Sequence, residues 1–416
     1  MSRAATTMGR EVGAMNDFIS LFSGAGGLDV GLEAAGWDCV LATDADPVAV
    51  RTLEANRGAR IGRGRRAFSG TVILQADIRK LKGPDILART GAVRGSIPLL
   101  AGGPPCQSWS SAGHQKGFDD PRGLLVGDYL RIASEIDARW LVFENVRGLL
   151  TARGPDRVPG SALNFVRRRL LDLGWQTRVD LLNAADFGVP QRRVRIILVG
   201  FRTGDPPGAP RRTHAEGGRA GMAPWITLSE CLVRVGALDA SDVIRPSGKM
   251  ADELAILPAG TGAKSPGKRE STRPGGHWGY KQGAFIADLA LPARTVTASA
   301  QQDWIRDPNL GLRRLCPREC AAIQSFPASW GFEGRRSDQY RLIGNAVPPR
   351  LATHLGLALR QDIDRPLPAR QEQWSDLQPL PERLQSAIRY TVREELRNGE
   401  SRRAGAERGL GTRRTA

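Results

Sequence analysis

No run of 18 apolar residues occurs in the 416-residue chain, so the sequence excludes a membrane-spanning helix. The N-terminus lacks the apolar stretch of a signal peptide, and a cytoplasmic protein is expected. Cysteine is scarce. Its five occurrences, at 39, 106, 231, 316 and 320, are odd in number and widely spread. Cys316 and Cys320 stand four apart, but no second cysteine or histidine pair completes a zinc site. Reduced thiols and no metal are expected. Negative charge is the minority sign: 43 Asp and Glu face 60 Lys and Arg, for a net +17. Such an excess suits a polyanionic partner, because phosphate contacts release counterions and dominate nucleic-acid affinity. Arginine spread evenly over a surface would give the same total.

What the chain does contain is core-forming sequence and a series of strand ends. With 41% hydrophobic residues in 416 it can build two domains, or one large domain with an insert. Residues 1–16 read as a polar, disordered leader. Residues 17–22 read as a strand, and Ser23-Gly24-Ala25-Gly26-Gly27 as the turn into a helix ending near 35. Glycines let the backbone approach a ligand, and a helix start offers free amides to an anionic group. A second strand, 39–43, ends at Asp44, 20 residues after Gly24. That is about the interval at which a Rossmann-like unit sets an acid on a ribose hydroxyl. A third strand, 71–74, runs into Asp77 and Ile78. Three strands with polar residues past their carboxyl ends describe an adenosine-type crevice. The arginine-rich loop 57–69 suits phosphate tracking or plain solvation equally well.

The apolar run 97–101 predicts a fourth strand, which delivers Gly102-Gly103-Pro104-Pro105-Cys106-Gln107. Two prolines stiffen the backbone ahead of the thiol. Taken alone, Cys106 reads first as a structural cysteine in a Pro/Gly turn, with an aimed nucleophile as the alternative. The polar segment 114–123 suits a loop that closes over a site. After a helix at 124–135, a strand at 140–143 leads to Glu144, a strand-end carboxylate that, taken alone, is more often a cap for the following turn. A helix at 162–173 and a strand at 177–183 follow. Then Gln191-Arg192-Arg193-Val194-Arg195 enters the apolar strand 196–199, where period two sets Arg193 and Arg195 on one face. Both could reach one pocket, or both could edge a sheet.

From 201 to 293 Pro and Gly are frequent and periodicity fades. There Lys264, Lys268, Arg269, Arg273 and Lys281 interleave with Trp278 and Tyr280, a pattern suited to nucleic-acid contact. Order returns at 294–297, with helices at 315–324 and 350–360 around Gly344-Asn345-Ala346-Val347-Pro348-Pro349. A proline-rich linker precedes Leu384, Ile388, Val392 and Leu396, which recur every four residues. That stripe predicts an amphipathic helix docked on the body in preference to a partner.

Taken in order, Phe22-Ser-Gly-Ala-Gly-Gly, Gly103-Pro-Pro-Cys-Gln, Glu144-Asn-Val, Gln191-Arg-Arg-Val-Arg and Gly344-Asn-Ala-Val-Pro-Pro resemble the bacterial DNA (cytosine-5) methyltransferase family. The resemblance spans 17–360, the stretch 201–293 excepted. It implies an α/β fold of the class I S-adenosylmethionine-dependent methyltransferase type, Rossmann-like and mostly parallel, with a smaller inserted target-recognition domain. The chain would then divide into a leader (1–16), a catalytic domain (17–200, completed by 294–360), the target-recognition domain (201–293) and a C-terminal linker, helix and basic tail (361–416).

The implied reaction carries a methyl group from S-adenosylmethionine to carbon 5 of a flipped-out cytosine in a specific duplex DNA sequence, leaving S-adenosylhomocysteine. Carbon 5 is a poor nucleophile, so the family first adds a thiolate at carbon 6. Cys106 matches that thiolate, which cationic neighbours would help ionise. Glu144 matches the carboxyl group that contacts ring N3 and the exocyclic amine. Arg195 matches the arginine on the cytosine carbonyl, and Arg193 its neighbour, which orients the glutamate and cysteine. Phe22, Gly24, Gly26, Gly27, Leu28, Pro104 and Asn345 would line the cofactor; Asp44 would take the ribose hydroxyls, Asp77 the adenine amine and Ile78 an adenine face. A stacked base is out of reach, so the nucleotide would be extruded and 114–123 would close over it. Two positions depart from the pattern: Ala45 stands where some members have an aromatic residue, and Ser20 where some have an acid.

The expected partner is double-stranded DNA, recognised by a monomer with no metal and no membrane, with or without a restriction endonuclease acting separately. Methylation of tRNA is the nearest rival and is opposed by the long basic insert. An inactive DNA-binding homologue is opposed by the presence of Cys106, Glu144, Arg193 and Arg195. A nicotinamide oxidoreductase would use the glycine turn and Asp44 but leave Cys106 and Glu144 unexplained.

Overall fold

The computed structural model describes residues 14–62, 64–105, 125–202, 205–264, 266, 283–362 and 374–394. Its strands begin with β1 (Asp17–Leu21) and β2 (Asp38–Asp44), then a hairpin of β3 (Arg60–Gly62) and β4 (Arg65–Arg66). β5 (Val72–Gln75), β6 (Leu99–Gly102), β7 (Trp140–Val146), β8 (Gln176–Asn183) and β9 (Val194–Phe201) follow. Apart from the hairpin these form one seven-stranded sheet in the order β5-β2-β1-β6-β7-β9-β8. Only β9 runs against its neighbours. This is the mostly parallel α/β sheet the sequence predicts.

Its central strands are buried along almost their whole length and mostly apolar, because both faces are covered. Along β7, Trp140 and Val142 enter one core while Leu141 and Phe143 enter the other. The first core is closed by α1 (Gly27–Ala34) and α2 (Pro47–Ala55), the second by α3 (Gly83–Thr90), α4 (Leu125–Ile136) and α5 (Ser161–Asp172). Further on come α6 (Leu228–Val235), α7 (Lys249–Ile256), α8 (Pro317–Ile323), α9 (Arg336–Asn345) and α10 (Pro349–Arg360). The last of these lies directly on the first helix. A side chain at Gly31 would overlap Ala352 Cβ and Pro349 O, and one at Gly27 would overlap Val347 O. These close approaches bring residues 341–347 against the glycine turn that starts α1.

Past β9, a two-strand pairing joins β10 (His214–Ala215) to β11 (Ala223–Pro224). A smaller four-stranded sheet then runs β12 (Thr261–Gly262), β13 (Phe285–Ile286), β14 (Trp304–Asp307), β15 (Gly311–Arg314). It has a core of its own, Leu254, Leu257, Ile286 and Trp304. Position 293, where the insert was expected to end, falls inside this sheet. Two-residue strands carry no readable period, so the Pro/Gly-rich sequence hid them. Buried Arg313 fastens the unit to the body, bonding Asp307 Oδ2 at 2.7 Å and Glu319 Oε2 at 2.8 Å.

The C-terminal stripe docks intramolecularly, as its period predicts. Residues 382–394 are helical, and Leu384 is buried with Leu380, Ala387 and Ile388 against the α4–α5 side. Leu396 lies outside the described residues. The preceding irregular segment is held by Gln176 Nε2 on Asp376 O at 3.0 Å and by Arg167 on Gln378 O. The arginine loop 57–69 settles between its two readings differently. Arg57 donates to Phe68 O and Thr71 O at 2.9 Å, and Arg65 to Asp38 and Trp37 O. Those two guanidinium groups hold the hairpin in place.

Candidate active site

A cleft of about 500 Å³ opens at the carboxyl ends of β1, β2, β5, β6 and β7. Parallel sheets collect ligands at that edge. One part of its wall is Phe22, Gly24, Leu28, Asp44, Asp77, Ile78 and Asn345; another is Pro104, Glu144 and Arg195. All of these were singled out from the sequence.

In the first part the chain leaves β1 through two left-handed residues, Phe22 (φ 58°) and Gly24 (φ 56°). A Cβ on Gly24 would meet no atom within 4 Å, so the turn borders free space. Asp44 Oδ2 accepts the Gly24 amide at 2.8 Å and its Oδ1 accepts the Asp46 amide at 2.9 Å. The 20-residue interval seen in the sequence is thus closed by a hydrogen bond. Burial pushes the Asp44 carboxyl above its ordinary value in spite of these donors. Asp77 behaves oppositely: hydrogen bonds from Arg79 lower it to about 2, leaving an ionised acceptor. Gly26 and Gly27 do not line the cleft. A Cβ at Gly26 would lie 2.9 Å from Leu53 Cδ2 and 3.2 Å from Trp330 Cζ2, so these glycines serve packing against α2, the 330 loop and the entry to α10. Arg341 was missed: it reaches the cleft from α9, pairing with Asp46 and, at 3.2 Å, with Asp338.

In the second part Glu144 sits inside β7, opposite Ile197, because that strand continues to Val146. Arg195 Nε lies 3.0 Å from Glu144 Oε1. A Cβ at Gly103 would lie 2.9 Å from Glu144 Oε2, so the loop after β6 lies directly against the carboxyl group and a side chain there would displace it. Burial raises the Glu144 pKa, and the Arg195 and Arg193 charges oppose the rise without cancelling it. Arg195 also donates from Nη1 to Val194 O at 2.9 Å, and among the described residues its Nη2 has no partner.

Arg193 differs from expectation. It precedes β9, so strand alternation does not govern it, and it does not line the cleft. Its guanidinium donates to Val296 O at 2.9 Å, Gly344 O at 2.7 Å and Ala346 O at 3.0 Å, while its charge is still felt at Glu144. It therefore holds the segment carrying Asn345. Gln191 assists: its Nε2 bonds Gln324 Oε1 at 2.9 Å, and its Oε1 accepts the Val296 amide at 2.8 Å. Asn145 Nδ2 donates to Pro104 O at 3.2 Å, tying β7 to the proline loop. Gln191 and Asn145 stood in the quoted motifs, but only their burial discloses what they do.

Cys106 immediately follows the placed Pro105 and lies outside the described residues, as do 114–123 and Lys268, Arg269, Arg273, Trp278, Tyr280 and Lys281. Lys264 is exposed just after β12. The described cysteines, 39, 231, 316 and 320, are all buried. Desolvation holds their thiols up, to about 12 at Cys231 and Cys316, and none borders the cleft. Among the described residues no cluster could hold a metal ion.

The family model of the C-5 cytosine-specific DNA methylases matches residues 16–219 and 262–361. The chain belongs to that family. This methylase is 32% identical over 376 residues to the type II methyltransferase M.Eco47II of Escherichia coli, covering 83% of this chain and 79% of that one. It is 30% identical over 359 residues to M.NgoPII of Neisseria gonorrhoeae, covering 83% and 96%. Among solved structures it resembles the Dnmt2 methyltransferase of S. pombe, with a TM-score of 0.59 at 18% identity over 84% of this chain and 99% of the other. The Entamoeba histolytica methyltransferase EhMeth gives 0.58 at 16% identity, over 84% and 99%. These structural likenesses concern the fold. The family match makes the enzyme a DNA cytosine-5 methyltransferase, and the internal gap in the family match, 220–261, lies wholly within the expected insert.

Proposed function

We propose that this methylase modifies a cytosine extruded from a specific duplex DNA sequence, with S-adenosylmethionine as methyl donor and Cys106 as the covalent nucleophile. The observation that carries the reading is the buried Glu144–Arg195 pair, 3.0 Å apart, at the end of the cleft nearest the loop that leads into Cys106. The other end of the cleft suits the donor. Asp44 offers carboxylate oxygens, Asp77 an ionised acceptor, Ile78 an apolar surface and Gly24 unfilled space. When bound, S-adenosylmethionine supplies an electrophilic methyl group.

The chain's own residues do the rest. Thiolate addition at carbon 6 pushes electrons toward ring N3, and Glu144, whose burial favours its protonated form, donates a proton there. Arg195, held against Glu144, turns its free Nη2 toward the cytosine carbonyl oxygen. Asn145 fixes the proline loop ahead of Cys106, and Arg193 fixes the backbone beside Asn345. Once carbon 5 carries the methyl group, its proton passes to a solvent base, the carbon–sulfur bond breaks with the thiolate as leaving group, and ring N3 returns its proton to Glu144. The small sheet and the residues from 201 to 293 are the reading's target-recognition unit, and Lys264 with the basic-aromatic run after it its DNA contacts. Its type II relatives favour a modification enzyme of a restriction–modification system, working in the cytoplasm.

Incubation with methyl-labelled S-adenosylmethionine and either duplex DNA or tRNA tests this. Label is expected in 5-methylcytosine of the DNA; label confined to RNA would overturn the reading.

A further inference from the structure

Trp330, in the connection between α8 and α9, touches the glycine turn 305 residues earlier in the chain. Its indole Nε1 donates to Ala25 O at 3.2 Å, and the ring is almost wholly buried. Ala25 borders the cleft and lies between Gly24 and Gly26, both left-handed at φ 56° and 79°. A peptide flanked by two such glycines has little steric restraint of its own, so hydrogen bonds must set it. Two do: the Gly26 amide on Ser23 O at 2.8 Å, and the Trp330 indole on Ala25 O. The ring is steadied by Phe326 and Phe68, with centroids at 6.0 Å and 6.1 Å. The loop that carries it is anchored to α2. Asn56 accepts the Gly331 amide at 2.9 Å and returns a bond to Gly331 O at 2.8 Å, while the Glu333 amide bonds Thr52 Oγ1 at 3.1 Å.

We propose that Trp330 is a positioning residue for the methyl donor. Its N–H fixes the Ala25–Gly26 peptide and with it the turn that faces the donor. The anchor at Asn56 makes this a delivered contact, brought to an N-terminal turn by a loop from the C-terminal part of the catalytic domain. The inference rests on assigning the cleft to S-adenosylmethionine.

Trp330→Phe keeps the aromatic packing and removes the N–H. Asn56→Ala loosens the loop without touching the turn. Loss of one net hydrogen bond predicts that Trp330→Phe raises the Kd and KM for S-adenosylmethionine about three- to tenfold. kcat at saturation and the KM for DNA should stay near wild type, and Asn56→Ala should shift the same constants in the same direction. Calorimetric titration and steady-state kinetics on the full chain, with melting curves, read this out. An unchanged donor Kd in Trp330→Phe would overturn the inference, and so would a loss spread over kcat and both KM values with a lowered Tm. Wild type and Asp44→Ala separate the two readings. If wild type fails to bind the donor, or Asp44→Ala binds it equally well, the cleft assignment falls and takes the inference with it. If those controls behave and Trp330→Phe is silent, the inference alone falls.

Discussion

Glu144 is the carboxyl group to which we assign the proton transfer. Desolvation raises its pKa, and two guanidinium charges keep it from rising further. Glu144→Gln preserves the shape and a donor N–H but cannot transfer a proton, so kcat should fall about 10²-fold or more. In the proposed mechanism the protonated form is the active one, so the wild-type contribution declines as pH rises through that raised pKa. The alkaline limb of kcat against pH should therefore flatten in Glu144→Gln; an unchanged profile would remove the proton-donor role. Glu33 gives a second pH effect, on stability. Buried in α1 and accepting the Phe68 amide with both oxygens at 3.1 Å, it is pushed from 4.5 to about 8, chiefly by desolvation. Between those values the folded state holds a proton that the unfolded state has released, so stability falls as pH rises, by at most about 1.4 kcal/mol per unit. Glu33→Gln lacks this term, and denaturant melts should show its advantage over wild type growing until the folded pKa is passed. At this scale Asp44 was legible because its interval from Gly24 is itself a bond. The work of Arg193 was not, since it bonds carbonyls 103 to 153 residues away.

Among the elements, the long strands could be read because burial on both faces demands unbroken apolar runs, as in β6 and β7. Their ends were less visible: β7 extends through Glu144 to Val146 because β9 pairs with it to the end, a partner no local pattern announces. The four strands of the small sheet were hidden for a related reason. Two of them are two residues long, and their stability comes from Trp304, Ile286 and the Arg313 ion pairs, all distant in sequence from α7. The contact of α1 with α10 was equally unforeseen, although Gly31 and Ala352 are the small residues it requires. Gly31→Ala should destabilise the protein by about 1–3 kcal/mol through overpacking, measured by chemical denaturation. A neutral result would mean that the two helices can part without loss.

At the scale of the molecule, the net charge of +17 overstates the cations available to DNA. Arg57, Arg65, Arg167, Arg193 and Arg313 are committed to backbone carbonyls or internal carboxylates. Under the proposed function, Lys264 and the basic residues that follow it in the sequence are then left to choose a site. Replacing 201–293 with the corresponding stretch of a relative should change the methylated sequence, as read by bisulfite sequencing, and leave the donor KM unaltered. Retained specificity would place recognition elsewhere. The central claim concerns one thiol and the base it attacks. Duplex DNA with 5-fluorocytosine in place of cytosine tests it most directly, because fluorine cannot leave as the carbon 5 proton does and the adduct should persist. With S-adenosylmethionine present, the account predicts a stable protein–DNA complex whose mapped attachment is Cys106, and none from Cys106→Ala although that variant still binds the donor. Attachment at another residue, or methylation by Cys106→Ala, would contradict it.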